Sequence, residues 1–173
     1  MTKMKTAFAA LAIVLASPLS AATDDVLPSA GDDISKFRDA GAWVIHKNAT
    51  RGSCFAAYES ADGAVVQFGF TKAEDFGYLG LFSKTAEPAD GINDIAFLAN
   101  GHPYVGKSVG AGQNLNDGYK GGYVLINNPN FVKDIEIGQE LVAFPDSPMT
   151  YIVDMRGAKN ALYEVRKCTA ELN

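Results

Sequence analysis

The chain has 173 residues, of which 20 are acidic and 15 basic, with a formal net charge of −5. Such a chain, with its Lys and Arg scattered, lacks the electrostatic footprint of a nucleic-acid binder or of a protein that lies on anionic membranes, so neither partner is expected. Its length suits one domain with a substantial core, and there is no internal repeat or linker to divide it.

Residues 1–22 read as a cleaved signal peptide: Lys3 and Lys5 give a basic start, residues 7–16 an apolar run, and Ser20-Ala21-Ala22 a small-residue cleavage site. The apolar run is about half the ~20 residues that a membrane-spanning helix needs, so no stable membrane insertion is expected. Loss of the two lysines takes the formal charge from −5 to −7. The expected location is the periplasm or the secreted milieu. In that oxidising setting the only two cysteines, Cys54 and Cys168, are read as a disulfide. Closing so long a loop restricts the denatured chain by about 4–5 kcal/mol in the chain-entropy view.

Residues 23–40 form a polar, acidic leader in which Asp32 or Asp33 caps a short helix, with Ile34 and Phe37 at helical spacing. Residues 41–173 form a single β-rich domain. From Trp43 the hydrophobic period changes to two. Trp43 and Ile45 alternate with Val44 and His46, and after the turn formers at 48–52, Cys54, Ala56 and Tyr58 share a face. Asp62-Gly63 signals a two-residue turn into a third strand carrying Ala64, Val66, Phe68 and Phe70. Residues 78–82 form a strand covered on both faces, 85–92 a loop, and Ile95, Phe97 and Ala99 a strand that Asn100-Gly101 turns back through Tyr104.

Residues 106–122 hold six glycines among polar residues and read as a mobile loop or long hairpin tip, after which 123–126 resume as strand. Asn128-Pro129-Asn130 caps a short helix that pairs Phe131 with Ile135 and ends at Gly138. Two strands, 141–144 and 149–153, flank the turn at 145–148. A last helix from about Ala158 to Leu172 carries Leu162, Val165, Cys168 and Leu172 as an apolar stripe, widened by Ala161. Short strands with helices held to the ends imply a mainly β (α+β) fold, an antiparallel β-sandwich or barrel-like sheet with the C-terminal helix packed on it.

Several motifs look catalytic and fail on context. Residues 101–108 match the phosphate-loop pattern, but two glycines follow within four residues, where that chemistry needs a helix. Residues 106–110 fit a nucleophile elbow around Ser108, yet no histidine lies beyond His102. His46 and His102 are too far apart in sequence to pair by spacing, and the cysteines are committed to each other, so no metal and no cofactor are expected. Tyr104, Lys107, Tyr119, Lys120 and Tyr123, beside the glycine-rich segment, are the candidate interaction surface.

The opening Gly41-Ala42-Trp43-Val44, the Cys54 strand with its Asp62-Gly63 turn, and the ending Met155-Arg156-Gly157-Ala158-Lys159-Asn160-Ala161-Leu162 running on to Cys168 resemble the exported bacterial family called invasion-associated locus B, or an uncharacterised sister of it. That resemblance implies a periplasmic, β-rich, non-catalytic domain with roles at the envelope or in host association, and it transfers no catalytic residue. The expectation is a non-enzymatic binding or interaction protein with an unknown protein or small ligand of the envelope as partner. A proteinaceous inhibitor of an envelope hydrolase such as lysozyme, and an unrecognised hydrolase, are the alternatives.

Overall fold

A computed structural model describes residues 26–71, 74, 77–84, 94–109, 115, 118–145 and 150–172. The expected signal peptide, the loop at 85–92 and the centre of the glycine-rich segment lie outside the described residues. The order of elements is β1 (Ile34–Ala40), β2 (Trp43–Asn48), β3 (Ser53–Glu59), β4 (Ala64–Phe70), β5 (Gly77–Ser83), β6 (Asp94–Ala99), β7 (His102–Val109), β8 (Lys120–Ile126), α1 (Asn130–Ile137), β9 (Glu140–Ala143), β10 (Tyr151–Asp154) and α2 (Ala158–Glu171).

The strands form one antiparallel ribbon in the order β1-β2-β3-β4-β5-β8-β7-β6-β9-β10. It folds over at β7. The first part of that strand pairs with β6, from Ala99↔His102 to Asp94↔Lys107, while its end pairs with β8 through Ser108↔Val124 and Val109↔Tyr123. The ribbon thereby becomes a sandwich-like pair of sheets, six strands (β1–β5 and β8) facing four (β6, β7, β9 and β10). The mainly β fold with a C-terminal helix on the sheets is what the sequence pattern predicts.

Alternation decides which side chains enter the space between the sheets. Ile45, Ala56, Val66, Phe68, Leu79, Leu81 and Val124 point in from the six-stranded sheet, and Phe97, Leu141 and Val153 from the four-stranded one. Trp43 is fully buried at the centre of one end, against Phe68 and Tyr58, with its indole N–H donating to the Arg156 carbonyl at 3.3 Å. Helix α2 lies on β1, β2 and β3 and buries Ala158, Ala161, Leu162, Val165, Cys168 and Thr169. Cys54 on β3 and Cys168 on α2 form the disulfide, with Cα atoms 6.0 Å apart across 114 residues. Beside it the Cys54 N–H donates to Thr169 Oγ1 at 3.1 Å, and Glu164 pairs with Arg38 at 3.0 Å.

Three expectations change. The predicted helix around Ile34 and Phe37 is strand β1, paired with β2 from Ile34↔Asn48 to Ala40↔Trp43 and bulged between Lys36 and Arg38. A bulge adds one residue and turns two successive side chains to the same side. The bulge thus puts Phe37 and Arg38 on one side. Ile34 and Phe37 fall on opposite faces by ordinary alternation, Phe37 on the main core and Ile34 on a second cluster, and because each face has an apolar layer a spacing of three mimics a helical period. The Asp62-Gly63 turn is longer by a residue, because Ser60 N donates to the Ala64 carbonyl and Gly63 takes φ of 80°. The proposed loop at 106–122 is shorter at both ends, since β7 runs to Val109 and β8 begins at Lys120. The Asn100-Gly101 reading holds: both residues have positive φ, 51° and 78°, as a two-residue hairpin turn requires.

Candidate functional site

The described side chains of the predicted surface, those of Tyr104, Tyr119, Lys120 and Tyr123, do not share one. Tyr104 is buried in the main core, stacked on Phe97, and donates to Asp134 Oδ2 at 2.6 Å. Tyr123 is buried on the opposite face of the six-stranded sheet, with its hydroxyl donating to Gln67 Oε1 at 2.6 Å. Tyr119 is half-buried, donates to Glu59 at 2.6 Å and lies under the Lys84 ammonium. The hydrogen bond to Glu59, with its negative charge, pushes the Tyr119 hydroxyl up to about 12. Lys120 is exposed at the start of β8, and Lys107 lies on β7 with its side chain outside the described part.

The outward face of the six-stranded sheet is therefore a second core rather than a surface. Phe55, Val65, Tyr78, Phe82 and Tyr123 pack there with Val26. The rings fit because the residues beside them on the neighbouring strands, Gly69 and Gly80, carry no side chain. A Cβ on Gly69 would lie 2.5 Å from the Tyr78 hydroxyl, and one on Gly80 2.6 Å from the Tyr123 ring. His46 stacks on Phe55 in the same layer, and burial, followed by the charge of Lys36, holds its imidazole below the ordinary histidine range.

His102 has one carboxylate partner. Asp134 on α1 is buried and receives Tyr104, His102 Nδ1 at 2.9 Å and Asn100 Nδ2 at 3.4 Å. Burial alone would raise the Asp134 carboxyl, but these three donors outweigh it and hold the group below its usual range. The arrangement pins the β6–β7 turn to α1. It has the Asp–His pairing of the base-orienting half of a catalytic triad, but among the described residues no thiol or hydroxyl is hydrogen-bonded to the imidazole's other nitrogen. No group of three or more His, Cys, Asp or Glu side chains with metal-binding geometry occurs among the described residues.

The remaining face is different. On the outward side of the four-stranded sheet, register places Pro103, Leu98, Val142 and Ile152 in one row across β7, β6, β9 and β10, with Val105 and Ala96 in the next. None of these six belongs to either core, and Val105 and Ile152 are 71% and 60% exposed. Scattered exposed apolar residues mean little, but a contiguous row across four strands is a contact surface in waiting. Its signal in the sequence is the apolar character of both alternating sets: Ala96 and Leu98 sit between Ile95, Phe97 and Ala99, and Val142 between Leu141 and Ala143. Such a strand has both faces covered, or one face that exposes apolar surface.

Comparison with family models, with curated proteins and with solved structures returned no significant match to this chain.

Proposed function

We propose that the chain is a non-enzymatic interaction domain, exported to the periplasm or beyond and working at the cell envelope or in host association, in line with the invasion-associated locus B family that its sequence resembles. The observation that carries this reading is the apolar row Pro103, Leu98, Val142 and Ile152 on the outward side of the four-stranded sheet, which belongs to neither core of the described residues. The Cys54–Cys168 disulfide supports an oxidising compartment, since such bonds persist there and are rare in reducing cytosol. No described helix is long and apolar enough to cross a membrane.

Affinity capture from an envelope extract tests the reading, with the wild type and Val105→Lys as baits. Val105 touches neither core, so the variant keeps its melting temperature, and the reading expects it to lose a partner that the wild type retains. Equal recovery with both baits, or recovery with neither, contradicts the assignment.

A further inference from the structure

Among the described strands the ribbon has two edges, β1 and β10, and they differ in how readily they would accept a further strand. β1 carries a bulge and the charges Lys36, Arg38 and Asp39, all of which discourage a strand from adding to it. β10 has no bulge and no proline, and among the described strands it pairs with β9 alone. The direction of its free hydrogen-bonding groups follows from register. Met155 N–H donates to the Gln139 carbonyl at 2.7 Å, so alternation makes Val153 and Tyr151 the residues that exchange bonds with Leu141 and Ala143. The N–H and C=O groups of Ile152 and Asp154 therefore point to the open edge.

The side chains of the same two residues lie on the open apolar face. Ile152 ends the row from Pro103 through Leu98 and Val142. Two residues on, Asp154 stands opposite Glu140, an arrangement of like charges that costs stability in a sheet. Arg156 is bonded to Asp154 by Nε and Nη2, which answers one carboxylate and leaves the pair one negative charge in excess. Gln139, Glu140, Ile152, Asp154 and Arg156 line a depression of about 380 Å³ at this place.

We propose that β10 is a strand-accepting edge. It takes an extended peptide segment of a partner protein, antiparallel to β10, with an apolar residue opposite Ile152 and a Lys or Arg opposite Asp154. Backbone bonds to Ile152 and Asp154 supply the register, the apolar side chain extends the row, and the cation lies beside Asp154, on the side away from Glu140, where it offsets the excess negative charge of the pair. This rests on the interaction-domain reading and names the class of partner for its open face.

The probe is a capped, fluorescently labelled peptide of alternating threonine in which one lysine stands two residues before a valine, compared with the same peptide carrying glutamate for lysine. Anisotropy is expected to show about tenfold tighter binding of the lysine peptide, a preference that Glu140→Lys removes. Amide exchange at Ile152 and Asp154 is expected to slow on binding, and Ile152→Pro, whose lost N–H faces the edge, is expected to abolish binding while the protein stays folded. Equal binding of both peptides, unchanged exchange at those two amides, or a dimer formed through β10 in sedimentation overturns the proposal. A partner captured from the extract by Ile152→Pro but not by Val105→Lys sinks the edge assignment and leaves the interaction domain standing. Loss of capture by neither variant sinks both.

Discussion

The β1 end of the ribbon and its β10 end are built on opposite terms. At the first, α2 covers three strands, the disulfide joins helix to sheet, and Thr169 and Glu164 add a hydrogen bond and an ion pair. At the second, two four-residue strands form the end, and Ile152 is exposed to 60%. Among the described residues the stabilising contacts concentrate at one end, while the other carries an apolar row outside both cores and a strand paired on one side alone. Stability and exposure are thus separated along one sheet, so changes at one end should leave the other end's property untouched.

The largest effect should come from the clamp. Replacing Cys54 and Cys168 together by serine is expected to lower unfolding free energy by about 4–5 kcal/mol, read from urea unfolding, because the closed loop spans 114 residues. Leu162→Ala, at a fully buried position on α2, should cost about 2–5 kcal/mol in the same measurement. Neither change should alter binding at the open face at a temperature where the variant stays folded. Loss of binding by folded Leu162→Ala would break the comparison.

Tyr104→Phe acts between the two ends, where it takes one donor from the buried Asp134, and should cost about 1–3 kcal/mol. It also carries a pH signature. Asp134 titrates below its ordinary carboxyl value when folded, so its contribution is complete above about pH 4 and fades as pH falls through the folded value. Without Tyr104 the folded value lies nearer the ordinary one, so the acid loss should be smaller and should end at higher pH in denaturant titrations between about pH 2 and 5. His46 is also depressed, from 6.5, so folding loses stability as pH falls below about 6.5, and His46→Gln should flatten that slope. The smallest effect belongs to the open end: Val105→Lys should shift stability by no more than about 0.5 kcal/mol. A larger loss would mean that the face is covered.

The hairpins and the closing helix were legible because their signals are local. Asn100-Gly101 supplies two residues that tolerate positive φ, and the stripe of Leu162, Val165 and Cys168 keeps helical period. Strand β1 was misread because both of its faces are covered: Ile34 and Phe37 pack on different clusters, and an apolar pair three apart is then indistinguishable in sequence from one face of a helix. Tyr123 was misread for a different reason. Aromatic residues near glycines suggest a recognition loop, but here the glycine that matters is Gly80, on another strand and brought beneath the ring by register alone. Asp134 gave no sign at all. An acid on a short helix is ordinarily solvated, and the three donors that satisfy it come from the β6–β7 hairpin, 30 to 34 residues away.

The long span of the sulfur bridge also fixes an order of events during synthesis. A chain made from its N-terminus at about 5–20 residues per second exposes the Cys54 thiol roughly 6–23 s before its mate, and the bridge closes only once both have reached an oxidising compartment. The early hairpins must survive that interval without their lid. Since the chain carries no third cysteine, oxidation within a single molecule has just one product, and the last helix to emerge completes it without any need for reshuffling.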